Sequence, residues 1–136
     1  MKHYKIIAHI ADIRLLAEGT THAELFNAAL EGMSHIITTQ HGKPPYASHH
    51  SFNITSTDTT TLLIDFLSYV LTQTHLTKTV FWTADFKELT ATSLQTTIHG
   101  NKATMFEEDI KAVTYHEANV VINEHGNYQT MIVFDI

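Results

Sequence analysis

The chain has 136 residues, 43% of them hydrophobic, which is enough for one globular domain with its own core spanning residues 1–136 and suggests no second one. Eight Lys and Arg stand against fourteen Asp and Glu, a formal charge of −6, which excludes a basic footprint for gripping a phosphate backbone directly. Cysteine is absent, so disulfide frameworks, thiolate zinc sites and thiol redox chemistry are excluded, in keeping with a cytoplasmic protein.

In chain order, the apolar stretch after Met1-Lys2 is interrupted at Tyr4, Lys5, His9 and Asp12, too early for a signal peptide, and no segment approaches membrane-spanning length. Tyr4–Ile10 and Arg14–Glu18 read as strands. Thr21-His22-Ala23-Glu24 is a capping box that opens a helix, and Phe26, Leu30, Met33 and Ile37 recur at helical steps to give it one buried face. Gly42-Lys43-Pro44-Pro45 breaks the chain before a strand at Ser48–Thr55. The short oxygen-bearing side chains from Ser56 to Asp58 predict the start of a second helix, which carries Leu63, Phe66, Leu67, Val70 and Leu71 inward and runs to about His75.

Val80, Trp82, Ala84 and Phe86 then alternate with Thr83, Asp85 and Lys87, and Leu94, Thr96 and Ile98 repeat the pattern, predicting two paired strands. Gly126-Asn127 marks a turn between strands at Asn119–Ile122 and Tyr128–Phe134. Without regular βαβ spacing, this order predicts an α+β domain: a mainly antiparallel sheet with two helices packed against it.

The end of the sequence carries the chemistry. Met131-Ile132-Val133-Phe134 is a near-continuous apolar run of the buried-strand type, followed by Asp135 and the carboxylate of Ile136. Held on one rigid element, these are hard anionic oxygens of the kind that bind Ca²⁺, Mn²⁺ or Mg²⁺. Upstream, Lys111, Tyr115 and His116 form a dense polar cluster between apolar segments.

The segments His9-Ile10-Ala11-Asp12-Ile13, Ala17-Glu18-Gly19, Leu25 to Leu30, Leu62 to Leu67, Asp109-Ile110-Lys111-Ala112-Val113-Thr114-Tyr115-His116 and Phe134-Asp135-Ile136 resemble, in order, the archease family along nearly the whole chain. The resemblance implies a non-catalytic accessory protein for the RtcB-type RNA ligase, which joins 3′-phosphate and 5′-hydroxyl RNA ends with GTP and a divalent metal in tRNA splicing and RNA repair. It also implies a divalent ion, Ca²⁺ first and Mg²⁺ or Mn²⁺ as alternatives, held by Asp12, Asp135 and the terminal carboxylate of Ile136. The implied partner is the ligase, with RNA reached only through it and no membrane. The chain departs from the family pattern at Ile10, at Asp65-Phe66 and in the shorter stretch from Gly100 to Glu108, where contacts with a partner would differ.

Other readings of the same residues stay open. Asp12 also suits a turn between the first two strands. His9 orients Asp12 or is simply a half-buried histidine. Lys111 and His116 face phosphate or the ligase, or else neutralise the acidic cluster, and Asp65 faces a partner or lies at the solvent edge of its helix stripe. The eleven histidines contain no His-x-x-x-His pair, so most are read as surface or structural. A small metal-dependent hydrolase, with Asp12 and Asp135 on the ion and His116 as general base, is the alternative function. Against it, the sequence has no nucleophile motif or phosphate loop.

Overall fold

The computed structural model describes residues 1–8 and 11–136, so the reading of His9 lies outside the described residues. Strands β1 (His3–Ala8) and β2 (Asp12–Gly19) form an antiparallel hairpin. In β2 the side chains alternate strictly: Ile13, Leu15, Ala17 and Gly19 are buried, while Asp12, Arg14, Leu16 and Glu18 lie on the other, partly exposed face.

Helix α1 (His22–Ile37) starts at the predicted box, with the Glu24 N–H donating to Thr21 Oγ1 at 3.1 Å. The return bond goes one residue further back than predicted, because Glu24 Oε1 accepts from the Thr20 N–H at 2.9 Å. Bonds from the N-terminal amine and from Thr20 hold the Glu24 carboxyl down at about 2. Leu25, Phe26, Ala29, Leu30 and Met33 are fully buried because α1 packs on β2 and also on β4 (Thr79–Leu89). Two polar side chains fix it to β4. The Asn27 amide accepts from the Ala84 N–H at 2.8 Å and donates to the Ala84 carbonyl at 3.1 Å, and Ser34 Oγ donates to the Phe81 carbonyl at 2.5 Å. These bonds replace a missing neighbour strand, so the helix covers what would be an open sheet edge.

The strands divide between two antiparallel sheets. One runs β1-β2-β8-β6, with β7 also pairing with β8; the other runs β3-β5-β4. Here β3 is Ser48–Thr55, β5 Ser93–Lys102, β6 Ala112–Thr114, β7 Val121–Ile122 and β8 Tyr128–Asp135. The expected α+β class and two helices hold, but period-two alternation does not say which strands share a sheet.

Helix α2 (Thr59–Thr77) is capped by Asp58, whose Oδ1 accepts from the Thr61 N–H at 2.8 Å, a bond that also lowers the Asp58 pKa. It stops at Lys78, left-handed with φ 54°, and β4 begins one residue later. From α2, Phe66 packs 5.6 Å from Phe26, 5.7 Å from Phe86 and 6.1 Å from Phe52, joining both helices and the second sheet in one core. None of the described helices is long and apolar enough to cross a membrane.

Candidate functional site

The site is assembled by the position of β8 between β2 and β6. Asp12 and Asp135 are direct register partners, and Ala112 lies opposite Asp135 on the far side. Directly opposed residues of an antiparallel pair project from the same face with Cβ atoms about 4.5–5.5 Å apart. Both carboxylates therefore rise from the face of the sheet turned away from α1. Asp12 lies just beyond the last β1–β2 pair, Ala8–Ile13, so it belongs to the connection between those strands and at the same time pairs with Asp135 of β8. Ile136 follows, half-buried, with its side chain packed on the core.

Opposed like charges destabilise a strand pair. The nearest described counter-charge is Arg14, two residues along on the same face, whose Nη2 lies 4.0 Å from Asp12 Oδ2. The same nitrogen is only 2.6 Å from Glu117 Oε2, so its stronger attachment is there. Glu117 has φ 63°, a left-handed conformation that costs a non-glycine residue about 1–2 kcal/mol. Lys78 shares that conformation as a helix stop. Glu117 instead sits in a tight turn, in which the Ala118 N–H donates to the Tyr115 carbonyl at 3.2 Å.

That turn is tied down on every side. The Tyr115 hydroxyl donates to Asp65 Oδ1, and this bond, followed by desolvation, raises the Tyr115 pKa above its ordinary value. The Val120 N–H donates to Thr60 Oγ1 at 3.0 Å, and the Asn119 N–H to Thr130 Oγ1 at 2.9 Å. Asp65 is thus half-buried with both oxygens engaged, the second accepting from Ser56 Oγ at 2.6 Å. It anchors the turn to α2 instead of facing solvent. The backbone N–H of Lys111 donates to the Asp135 carbonyl at 2.8 Å, while its side chain is exposed. His116 is 74% exposed, with Nε2 3.7 Å from Glu117 Oε2.

The donor set suits a hard cation. Asp12 Oδ1 is buried and, among the described residues, has no hydrogen-bond partner. Buried polar atoms are normally paired, and an acceptor-only oxygen can be satisfied by a metal as well as by a donor.

The profile of the archease protein family matches residues 4–136. This chain belongs to the archease family. A protein archease from Methanosarcina mazei is 33% identical over 144 residues, covering 99% of this chain and 97% of the relative. Among solved structures, protein 1598 of Methanobacterium thermoautotrophicum superposes with a TM-score of 0.77 at 25% identity, covering 98% of each chain. The fold is also shared with an archease and possible chaperone from Thermotoga maritima, at TM-score 0.67 and 20% identity over 97% of this chain and 96% of that one. In this archease, sequence reasoning missed Arg14 and Glu117. The signal for Arg14 was present, since a residue two positions from Asp12 on a strand shares its face. The pairing of Glu117 with it across the fold had no sequence signal.

Proposed function

We propose that this archease is a non-catalytic accessory protein that activates an RtcB-type RNA ligase, promoting its guanylylation and turnover in tRNA splicing and RNA repair. The observation that carries the reading is the Asp12–Asp135 register pair, with a buried Asp12 oxygen that has no hydrogen-bond partner among the described residues. Asp12, Asp135 and the carboxylate of Ile136 would hold a divalent cation, Ca²⁺ first and Mg²⁺ or Mn²⁺ as alternatives. Such an ion would supply positive charge between the two opposed carboxylates, beyond what Arg14 gives. Arg14 and Glu117 keep the turn that carries His116 in place, and the exposed side chains of His116 and Lys111 would be available to phosphate or to the ligase. The −6 charge favours a protein partner over direct RNA contact.

The hydrolase alternative gains little support. The base it requires, His116, is exposed on a turn, and its nearest carboxylate is Glu117 rather than the aspartate pair. A guanylylation assay of the cognate ligase tests the proposal. Added protein should raise the rate, Asp135→Ala should abolish the stimulation while the fold survives, and the purified protein should hydrolyse neither GTP nor phosphoesters. Metal-dependent hydrolysis lost in Asp12→Ala and His116→Ala would replace the accessory role with the enzyme.

A further inference from the structure

A second group of metal-ligating side chains lies on α1 and the loop after it, apart from the strands that carry Asp12 and Asp135. Glu31 and His35 are one helical turn apart and share a face of α1. The chain turns back after Thr38 and brings His41 over them, with His41 Nδ1 2.9 Å from His35 Nε2. One ligand atom from each of Glu31, His35 and His41 lies within 4.8 Å of the others. Around a tetrahedral ion with bonds of about 2.0–2.2 Å, ligand atoms sit about 3.3 Å apart, so closing on a metal needs shifts of about 1.5 Å at most.

The group is already oriented. The His35 ring packs 5.9 Å from Tyr4 and 5.0 Å from Trp82, and the His41 ring packs 4.4 Å from Trp82. Gly42 presses the loop onto the same indole, since a Cβ there would come within 2.3 Å of Trp82 Nε1. The third ligand is also prepared. The Glu31 side chain is 17% exposed, and Lys2 Nζ lies 2.5 Å from its Oε2. A carboxylate and two imidazole nitrogens gathered within 4.8 Å of one another, the carboxylate now held by an ammonium, are what a divalent cation would complete.

We propose that Glu31, His35 and His41 form a metal site for a borderline divalent ion of the Zn²⁺ or Ni²⁺ class, with a further position open to water or to a partner's side chain. Imidazole nitrogen selects such ions over Ca²⁺ and Mg²⁺. On binding, the metal takes the place of the proton shared by His35 Nε2 and His41 Nδ1, that proton goes to solvent, and the Lys2 ammonium leaves Glu31. The ion would pin the 38–42 loop to α1.

Trp82 is the only tryptophan and touches both histidine rings, so it reports on the site directly. In the full chain, Ni²⁺ should quench its fluorescence in one saturable step, Zn²⁺ should compete, and excess Ca²⁺ should not reverse the quenching. His41→Gln and Glu31→Gln, each shown to be folded by circular dichroism, should weaken Ni²⁺ binding by about 100-fold or more, beyond the usual loss for an outer-sphere partner. His49→Gln breaks the other close histidine pair, His49 Nδ1 to His99 Nδ1 at 2.7 Å, and should change nothing. Absence of quenching, quenching that survives His41→Gln, or loss in His49→Gln would each overturn the site.

Discussion

Replacing Asp135 with asparagine should change stability in opposite directions with and without a divalent cation. In a chelator the two carboxylates face each other across β2 and β8, a like-charge pairing that costs about 0.2–1 kcal/mol. Arg14, 4.0 Å from Asp12, offsets part of this, but both side chains are about a quarter exposed and solvent screens the attraction to a few tenths of a kcal/mol. Asp135→Asn should therefore gain about 0.5 kcal/mol in EDTA, or a rise in Tm of about 2 °C for a domain of this size. With Ca²⁺ at about one hundred times its Kd, the natural chain should gain about 2.7 kcal/mol, near 10 °C, and the variant, lacking one carboxylate, only a fraction of that. The melting curves, followed by calorimetry with and without Ca²⁺, should thus change order. Equal stabilisation of both proteins by Ca²⁺, or of neither, would refute the metal reading of the pair; a variant less stable than the natural chain in EDTA would refute the repulsion argument.

Three further outcomes are expected. Glu117→Gly should be at least as stable as Glu117→Ala in urea titrations, because relief of about 1–2 kcal/mol of left-handed strain exceeds the roughly 0.4–1 kcal/mol of extra chain freedom that glycine brings to the unfolded state. The Tyr115 phenol should ionise above its ordinary value, and Asp65→Asn should bring it back toward that value in a spectrophotometric titration referenced to Tyr115→Phe. The sign follows from the raised pKa: the Tyr115–Asp65 contribution to stability is complete below the unfolded phenol pKa and is lost as pH rises through the folded one. Gly100→Ala should cost about 1–3 kcal/mol by chemical denaturation, since its Cβ would lie 2.1 Å from the Val80 carbonyl oxygen and the β4–β5 ladder would have to part.

Much of the fold was legible because local chemistry specified it. Thr21 and Asp58 set the helix starts, Gly126-Asn127 set the β7–β8 turn, and alternation in β5 set Leu94, Thr96 and Ile98 on the buried face. The split into two sheets was not legible. It depends on which edges meet, and α1 decides that through Asn27 and Ser34, polar residues whose partners on β4 are far away in sequence. At the site, Asp12 and Asp135 were singled out, but only the cross-strand register shows them opposite each other. The solvent-edge reading of Asp65 failed because helix periodicity counts apolar positions and is blind to a tyrosine arriving from another loop. The search for His-x-x-x-His passed over Glu31 and His35, which have the same helical spacing with a carboxylate in the first position.

The placement of β8 has a consequence for how the chain is made. Every other strand precedes it in the sequence, yet it is inserted between β2 and β6 and holds the larger sheet together. During synthesis from the N-terminus, the β1–β2 hairpin must wait with one edge unpaired until the chain that follows has emerged, and such non-local pairing is slow and exposed to misassociation. Asp12 meets Asp135 only when that insertion succeeds, so the acidic pair belongs to the completed sheet and to no partly built one.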